Sequence, residues 1–199
     1  MRPRELASIE RARFGPLRTL NVRVTLLSGE ESARRVESWL RSKQVELSGD
    51  VLIITGRGAG SIGGVPVIKE STLRVLNRLR RAGVIQAFGE DTAGSFVVQL
   101  APLRSLLEAP ARRKGPQSIP KKKANIQGLN SETRDQLHYL ASRAIDALGV
   151  KKPSESQILT EMERHFSVFA RTAPVGVDTD RWLNSAISRA LIEYAEEDR

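Results

Sequence analysis

The chain has no cysteine, which excludes disulfides, thiolate zinc sites and cysteine nucleophiles together. Aromatic residues make up only 5% of its 199 residues, and no ladder of them is spaced for stacking single-stranded bases. No apolar run approaches the roughly 18–20 residues that span a bilayer. The first residues, Met1-Arg2-Pro3-Arg4-Glu5-Leu6, lack the apolar centre of a secretion signal. A cytoplasmic protein without a membrane partner is therefore expected. Acidic residues are scarce in the front part. Residues 1–123 carry 23 Lys/Arg against 11 Asp/Glu, a net of +12, whereas residues 124–199 carry 9 against 12, a net of −3, within a total of +9. A polyanionic partner is expected to meet the front of the molecule.

Hydrophobic content of 40% is enough for one generous domain or two small ones. Residues 4–13 read as a short basic helix ended by Phe14-Gly15-Pro16. Leu20 to Leu27 alternates like a strand. Ser28-Gly29-Glu30-Glu31 has the pattern of a capping box and opens a helix running to about Val45, with Ala33, Val36 and Leu40 on one face. A second strand follows at 51–55, completing a βαβ unit that is right-handed by strong prior. Ile68, Thr72, Val75, Leu76 and Leu79 predict a further helix closed by Gly83, with Arg74, Arg78 and Arg81 on its solvent side. Val84–Phe88 and Ser95–Leu100 read as two more strands joined by the polar loop 89–94. The fold class predicted is α/β, a two-layer β-α-β-α-β-β sandwich with a four-stranded mixed sheet, followed by a small all-α bundle.

The bundle is predicted as three helices: about 131–148 opened by Ser131, 155–171 opened by the capping box Ser154–Gln157, and 179–196 opened by Asp178. Its apolar stripes are Leu137, Leu140, Ala141, Ala144 and Leu148; Ile158, Met162, Phe166 and Phe169; and Trp182 through Tyr194. They form a core, with a protein partner or self-association through these helices as the alternative use. The predicted organisation is a basic extension over 1–17, the α/β domain over 18–107, a basic flexible linker over 108–128 and the helical domain over 129–199. The linker holds Arg112, Arg113 and Lys114, then Lys121, Lys122 and Lys123.

The chemistry concentrates after the second strand, where Val51-Leu52-Ile53-Ile54-Thr55 empties into Gly56-Arg57-Gly58-Ala59-Gly60-Ser61-Ile62-Gly63-Gly64. Glycines let backbone N–H groups approach an anion, and Arg57 adds charge and a two-pronged phosphate donor. The loop has neither the Lys-Ser/Thr ending of a P-loop nor dinucleotide-binding spacing.

The order of elements and loops resembles the Smr (small MutS-related) domain over residues 18–103. Val22-Arg23-Val24-Thr25-Leu26 occupies the family's first motif, Leu-Asp-x-His-Gly, and Ser28–Glu31 its acidic helix start. Ile53-Ile54-Thr55-Gly56-Arg57-Gly58 occupies the second motif, Ile-Ile-His-Gly-x-Gly, and Gly94–Leu100 fits the final strand. The resemblance implies a nucleic-acid-binding domain, often an endonuclease. It also implies that Arg23 lies on the strand beside Arg57. The family's acidic residue falls here at Arg23, and its two histidines at Thr25 and Thr55.

Phosphodiester hydrolysis needs a group that moves a proton near neutral pH, or a metal held by converging carboxylates. The α/β region has no histidine, and both histidines, His138 and His165, lie in the bundle, where they read as surface or bundle-edge residues. The expectation is a DNA or RNA backbone binder without catalytic residue, metal or cofactor. Its contacts are Arg23, Thr25, Thr55, Gly56, Arg57, Gly58, Arg74, Arg78, Arg81 and the two linker clusters. The alternatives are an active DNA-nicking or RNA-cleaving endonuclease and a ribosome-associated or structural adaptor.

Overall fold

Val51, Leu52, Ile53 and Ile54 are all buried, so the second strand is covered on both faces and lies inside its sheet. The computed structural model describes residues 14–23, 28–46, 49–58, 66–108, 126–174 and 176–197. The helix expected over 4–13, Thr25, and the clusters Arg112–Lys114 and Lys121–Lys123 lie outside the described residues. Two units separate, 1–102 and 103–199.

In the first unit a 3₁₀ turn, Pro16–Arg18, leads into β1 (Thr19–Asn21). Helix α1 (Gly29–Glu46) connects it to β2 (Asp50–Ile54), and α2 (Val67–Arg81) leads on to the hairpin β3 (Ile85–Thr92) and β4 (Ser95–Leu100). The sheet order is β1-β2-β4-β3, parallel between β1 and β2 and antiparallel at the other two pairings. Strand β4 thus inserts between two strands of common direction, and the carboxyl ends of β1, β2 and β3 share one edge. The mixed four-stranded sheet with helices, followed by helices alone, is the architecture expected from sequence.

Local chemistry explains the boundaries. Ser28 Oγ accepts from the Glu31 N–H at 3.2 Å while the Glu31 carboxylate accepts from the Ser28 N–H at 2.9 Å, a reciprocal capping box. The bond from the Ser28 N–H first, then one from its hydroxyl at 2.8 Å, hold the Glu31 carboxyl below its ordinary value. Helix α2 ends in a Schellman motif, with Val84 N–H on the Leu79 carbonyl and Gly83 N–H on that of Arg80. Buried Gln44 of α1 donates to the carbonyls of Gly83, Ala101 and Pro102, tying α1 to the α2–β3 turn and to the end of β4.

Two expectations are corrected. Residues 89–92 are not loop: β3 continues to Thr92 and the turn is only Ala93-Gly94. Strand β1 starts at Thr19 and ends at Asn21, before Val22 and Arg23, although Val22 N–H still bonds the Ile54 carbonyl at 3.0 Å; residues 24–27 of the expected strand lie outside the described residues.

In the second unit a short helix, α3 (Arg104–Glu108), and a 3₁₀ turn (Ile126–Gly128) precede α4 (Ser131–Ala147), α5 (Glu155–Thr172) and α6 (Thr179–Glu197). Residues 103–107 belong to this unit rather than to the α/β one. Asn130, not Ser131, caps α4, its Oδ1 accepting from Thr133 N–H at 2.7 Å. Ser154 and Gln157 form the expected capping box on α5, and Asp178 caps α6 through Arg181 N–H.

Candidate nucleic-acid interface

At the carboxyl end of β2 the chain is held by one acceptor on the hairpin. The Gly94 carbonyl takes the N–H groups of both Thr55 and Gly56, each at 2.9 Å. This pairing presses the Gly94 backbone against the Gly56–Arg57 peptide. A Cβ on Gly94 would lie 2.7 Å from the Gly56 carbonyl carbon and 2.9 Å from its Cα. Gly56 and Gly58 then turn the chain with φ of 78° and 79°, a region side chains disfavour. Gly58 backs onto Pro66, the N-cap position of α2, where a Cβ would stand 2.7 Å from the proline Cβ. Arg57, between the two glycines, is exposed.

Arg23 reaches the same corner from the end of β1. Its Cδ and Nε would stand 3.0 Å from a Cβ on Gly56, so the arginine stem lies across that glycine. Arg23 itself lies two residues past the end of β1, beside the Gly56-Arg57 turn. Among the described residues, neither Arg23 nor Arg57 has a side-chain hydrogen bond or ion pair. The nearby cation Lys69 differs: it binds Glu90 at 3.0 Å and the Ala93 carbonyl at 3.3 Å, and sits 6.0 Å from the Phe96 ring centre. At α1, the first-turn acids are also engaged, Glu31 with Ser28 and Glu30 with Arg34. The corner therefore carries two guanidiniums with no internal counter-ion among the described residues. It lies outside the carboxyl ends of parallel strands, where open α/β sheets hold ligands.

Thr55 does not line this corner. It is 5% exposed, and its hydroxyl faces the carbonyls of Gly94 and Gly56 at 3.2 and 3.3 Å, so it supports the loop from behind. Gly94 is the residue that contact-by-contact sequence reasoning missed. Its place after the polar run 89–93 suggested only a turn, and nothing local signals that its carbonyl holds β2. Arg74, Arg78 and Arg81 are exposed on α2 as expected. At 1.5 Å per residue they lie about 12–22 Å along the helix from Pro66, too far to join Arg57 at one phosphate. Arg78 is moreover paired with Glu37 of α1.

The second unit gathers a different set of charged groups. His165 is fully buried, which corrects its assignment to a surface or bundle edge; His138 is exposed. His165 Nε2 lies 2.9 Å from Glu161 Oε1, and Arg164 contacts the same oxygen. The contact is not an aligned hydrogen bond, since neither ring nitrogen has a directed partner. Arg164 also donates to the Leu106 carbonyl, and Glu193 accepts from Arg104 N–H. Burial first, then the Glu108 carboxylate, raises the Tyr194 hydroxyl well above its ordinary value, so it is no base near neutral pH. Burial pushes the Glu161 carboxyl up, but His165 and Arg164 outweigh it and leave it below its ordinary 4.5.

A depressed carboxylate stabilises the fold above its unfolded value, and that stabilisation is lost as pH falls through the folded one. Substituting Glu161→Gln is therefore expected to destabilise the chain by about 1–2 kcal/mol at pH 7, a penalty that shrinks below about pH 4. Urea unfolding at pH 7 and pH 3 checks this; a pH-independent penalty would contradict it.

Among the described residues no three His, Asp or Glu side chains converge as metal ligands. An open cavity of about 450 Å³ in the helical unit is lined by Asn130, Thr133, Asp180, Arg181, Asn184 and Ser185, one cation against one anion. No helix among the described residues is long and apolar enough to cross a membrane. Comparison with protein-family models, with curated proteins and with solved structures finds no match.

Proposed function

We propose that the chain is an Smr-like nucleic-acid-binding protein that holds the sugar-phosphate backbone of DNA or RNA, in the cytoplasm, without cutting it. The observation that carries this reading is the pair Arg23 and Arg57, exposed and without a partner among the described residues, over a glycine backbone with no side chain to keep a phosphate away. Guanidinium forks match phosphate oxygens, and such contacts give affinity without sequence readout. The element order and the Gly56-Arg57-Gly58 segment after β2 support the Smr-like assignment. The charge asymmetry supports a polyanion as partner.

Non-cleavage rests on the groups at the corner. Arginine stays protonated and cannot serve as a base at neutral pH. Thr55 is buried against carbonyls, and His165 is enclosed in the other unit. Incubating the protein with supercoiled plasmid and with structured RNA, with Mg²⁺ or Mn²⁺, is expected to leave both intact. Nicking that disappears in Arg57→Ala would establish an endonuclease instead.

A further inference from the structure

The outer face of α1 and α2 holds a charge arrangement separate from the Gly56 corner. The two helices run side by side in one direction: Gly29 at the start of α1 abuts Val67 and Ser71 of α2, and farther along Glu37 meets Arg78. Glu37 Oε1 accepts from Arg41 Nε and Nη2 at 3.1 and 3.0 Å, while Oε2 accepts from Arg78 Nη2. One carboxylate thus turns two guanidiniums from different helices toward a common point. Arg74 and Arg81 flank Arg78 one turn before and one turn after, exposed and bonded only to Ser71 Oγ and the Asn77 carbonyl among the described residues. Among those residues, Glu37 is the only carboxylate paired with any of these four arginines.

We propose that this face is a second phosphate-binding surface and that Glu37 occupies its centre as an intramolecular stand-in for phosphate, displaced when a nucleic-acid backbone docks. The inference rests on the nucleic-acid reading above and adds Glu37, Arg41 and a sign: removing this acid strengthens binding. Arg78 is 58% exposed in the pair, and exposed ion pairs contribute little and are screened by salt. A phosphate offers the same two guanidiniums acceptor oxygens of equal geometry and releases condensed counterions on binding. Exchange of Glu37 for phosphate is therefore favourable on a polyanion and negligible for an isolated anion at low concentration.

The test uses the full chain with a labelled DNA duplex and a labelled RNA hairpin, titrated across a range of salt. Glu37→Gln is compared with Glu196→Gln, which makes the same charge change at an exposed residue of the other unit. For Glu37→Gln, Kd is expected to tighten roughly fivefold near 0.1 M salt, and the slope of log affinity against log salt to steepen by about 0.9, one added phosphate contact. Glu196→Gln is expected to change Kd by less than about twofold, because it acts only through net charge. Arg78→Ala, which removes the cation, is expected to weaken binding and decides the matter if Glu37→Gln unfolds. Equal behaviour of the two glutamine variants, or unchanged affinity in Arg78→Ala, overturns the second surface. Failure of the wild-type chain to bind either nucleic acid overturns the underlying reading; binding that depends on Arg23 and Arg57 but not on Glu37 or Arg78 overturns only this inference.

Discussion

Replacing Gly94 with alanine is expected to lower the stability of the α/β unit by about 3 kcal/mol, and to weaken nucleic-acid binding although Gly94 carries no charge. The new Cβ would stand 2.7 Å from the Gly56 carbonyl carbon and 3.0 Å from the Arg57 nitrogen, both backbone atoms. Relief requires moving β2 away from the hairpin, which costs the bonds from Thr55 and Gly56 to the Gly94 carbonyl. Arg57 then loses its fixed position over the corner. Gly89, in the same hairpin, is the control: a Cβ there meets nothing within 4 Å, so Gly89→Ala should be close to neutral. Hydrogen exchange of the β2 and β4 amides reads the difference. Equal protection in the two variants would contradict the account of the Gly94 contact.

The second large effect is expected from Arg23→Ala with Arg57→Ala. Each charge-assisted contact is worth roughly 1.5–3 kcal/mol, so losing both should weaken binding by at least about 150-fold near 0.1 M salt. Stability should stay within about 0.5 kcal/mol, because both side chains are exposed and make no described ion pair. That combination separates a binding role from a structural one: a matching loss of thermal stability would assign the pair to the fold. Arg57→Lys keeps the charge but not the fork and should recover binding only in part.

Much of the fold was legible because its signals are local. The capping boxes at Ser28 and Ser154, the Gly83 helix end and the all-apolar run of β2 each state their structure within a few residues. Strand β3 was legible only in its first half. Gly89, Glu90 and Asp91 carry the composition of a loop, yet Gly89 and Glu90 pair with β4 at the sheet edge, where exposed polar residues are tolerated, and Asp91 falls in one of the two register shifts that absorb the irregularity. In the bundle, the stripe assigned to Ile158, Met162, Phe166 and Phe169 holds His165 in place of Phe166. Spacing alone allows either residue at this position; the buried ring lies against the Glu161 carboxylate one turn earlier.

The candidate site divides in the same way. Arg57 and its glycines announce themselves in sequence, and the motif resemblance put Arg23 beside them. Thr55 was misplaced because the face of a strand residue depends on how β2 pairs with β4, and its hydroxyl turns to Gly94, 39 residues away. Glu37 was invisible for a related reason. Its two arginines belong to different helices, so the bridge exists only once α1 and α2 are packed together.

The salt dependence of binding tests the central claim most directly, with wild-type protein and Arg57→Ala titrated against one DNA duplex under identical conditions. The wild-type chain should show log affinity falling linearly with log salt, and the variant a slope shallower by about 0.9 together with weaker binding. A wild-type slope near zero, or identical slopes and affinities for the two proteins, would contradict a phosphate grip at the Gly56-Arg57-Gly58 corner.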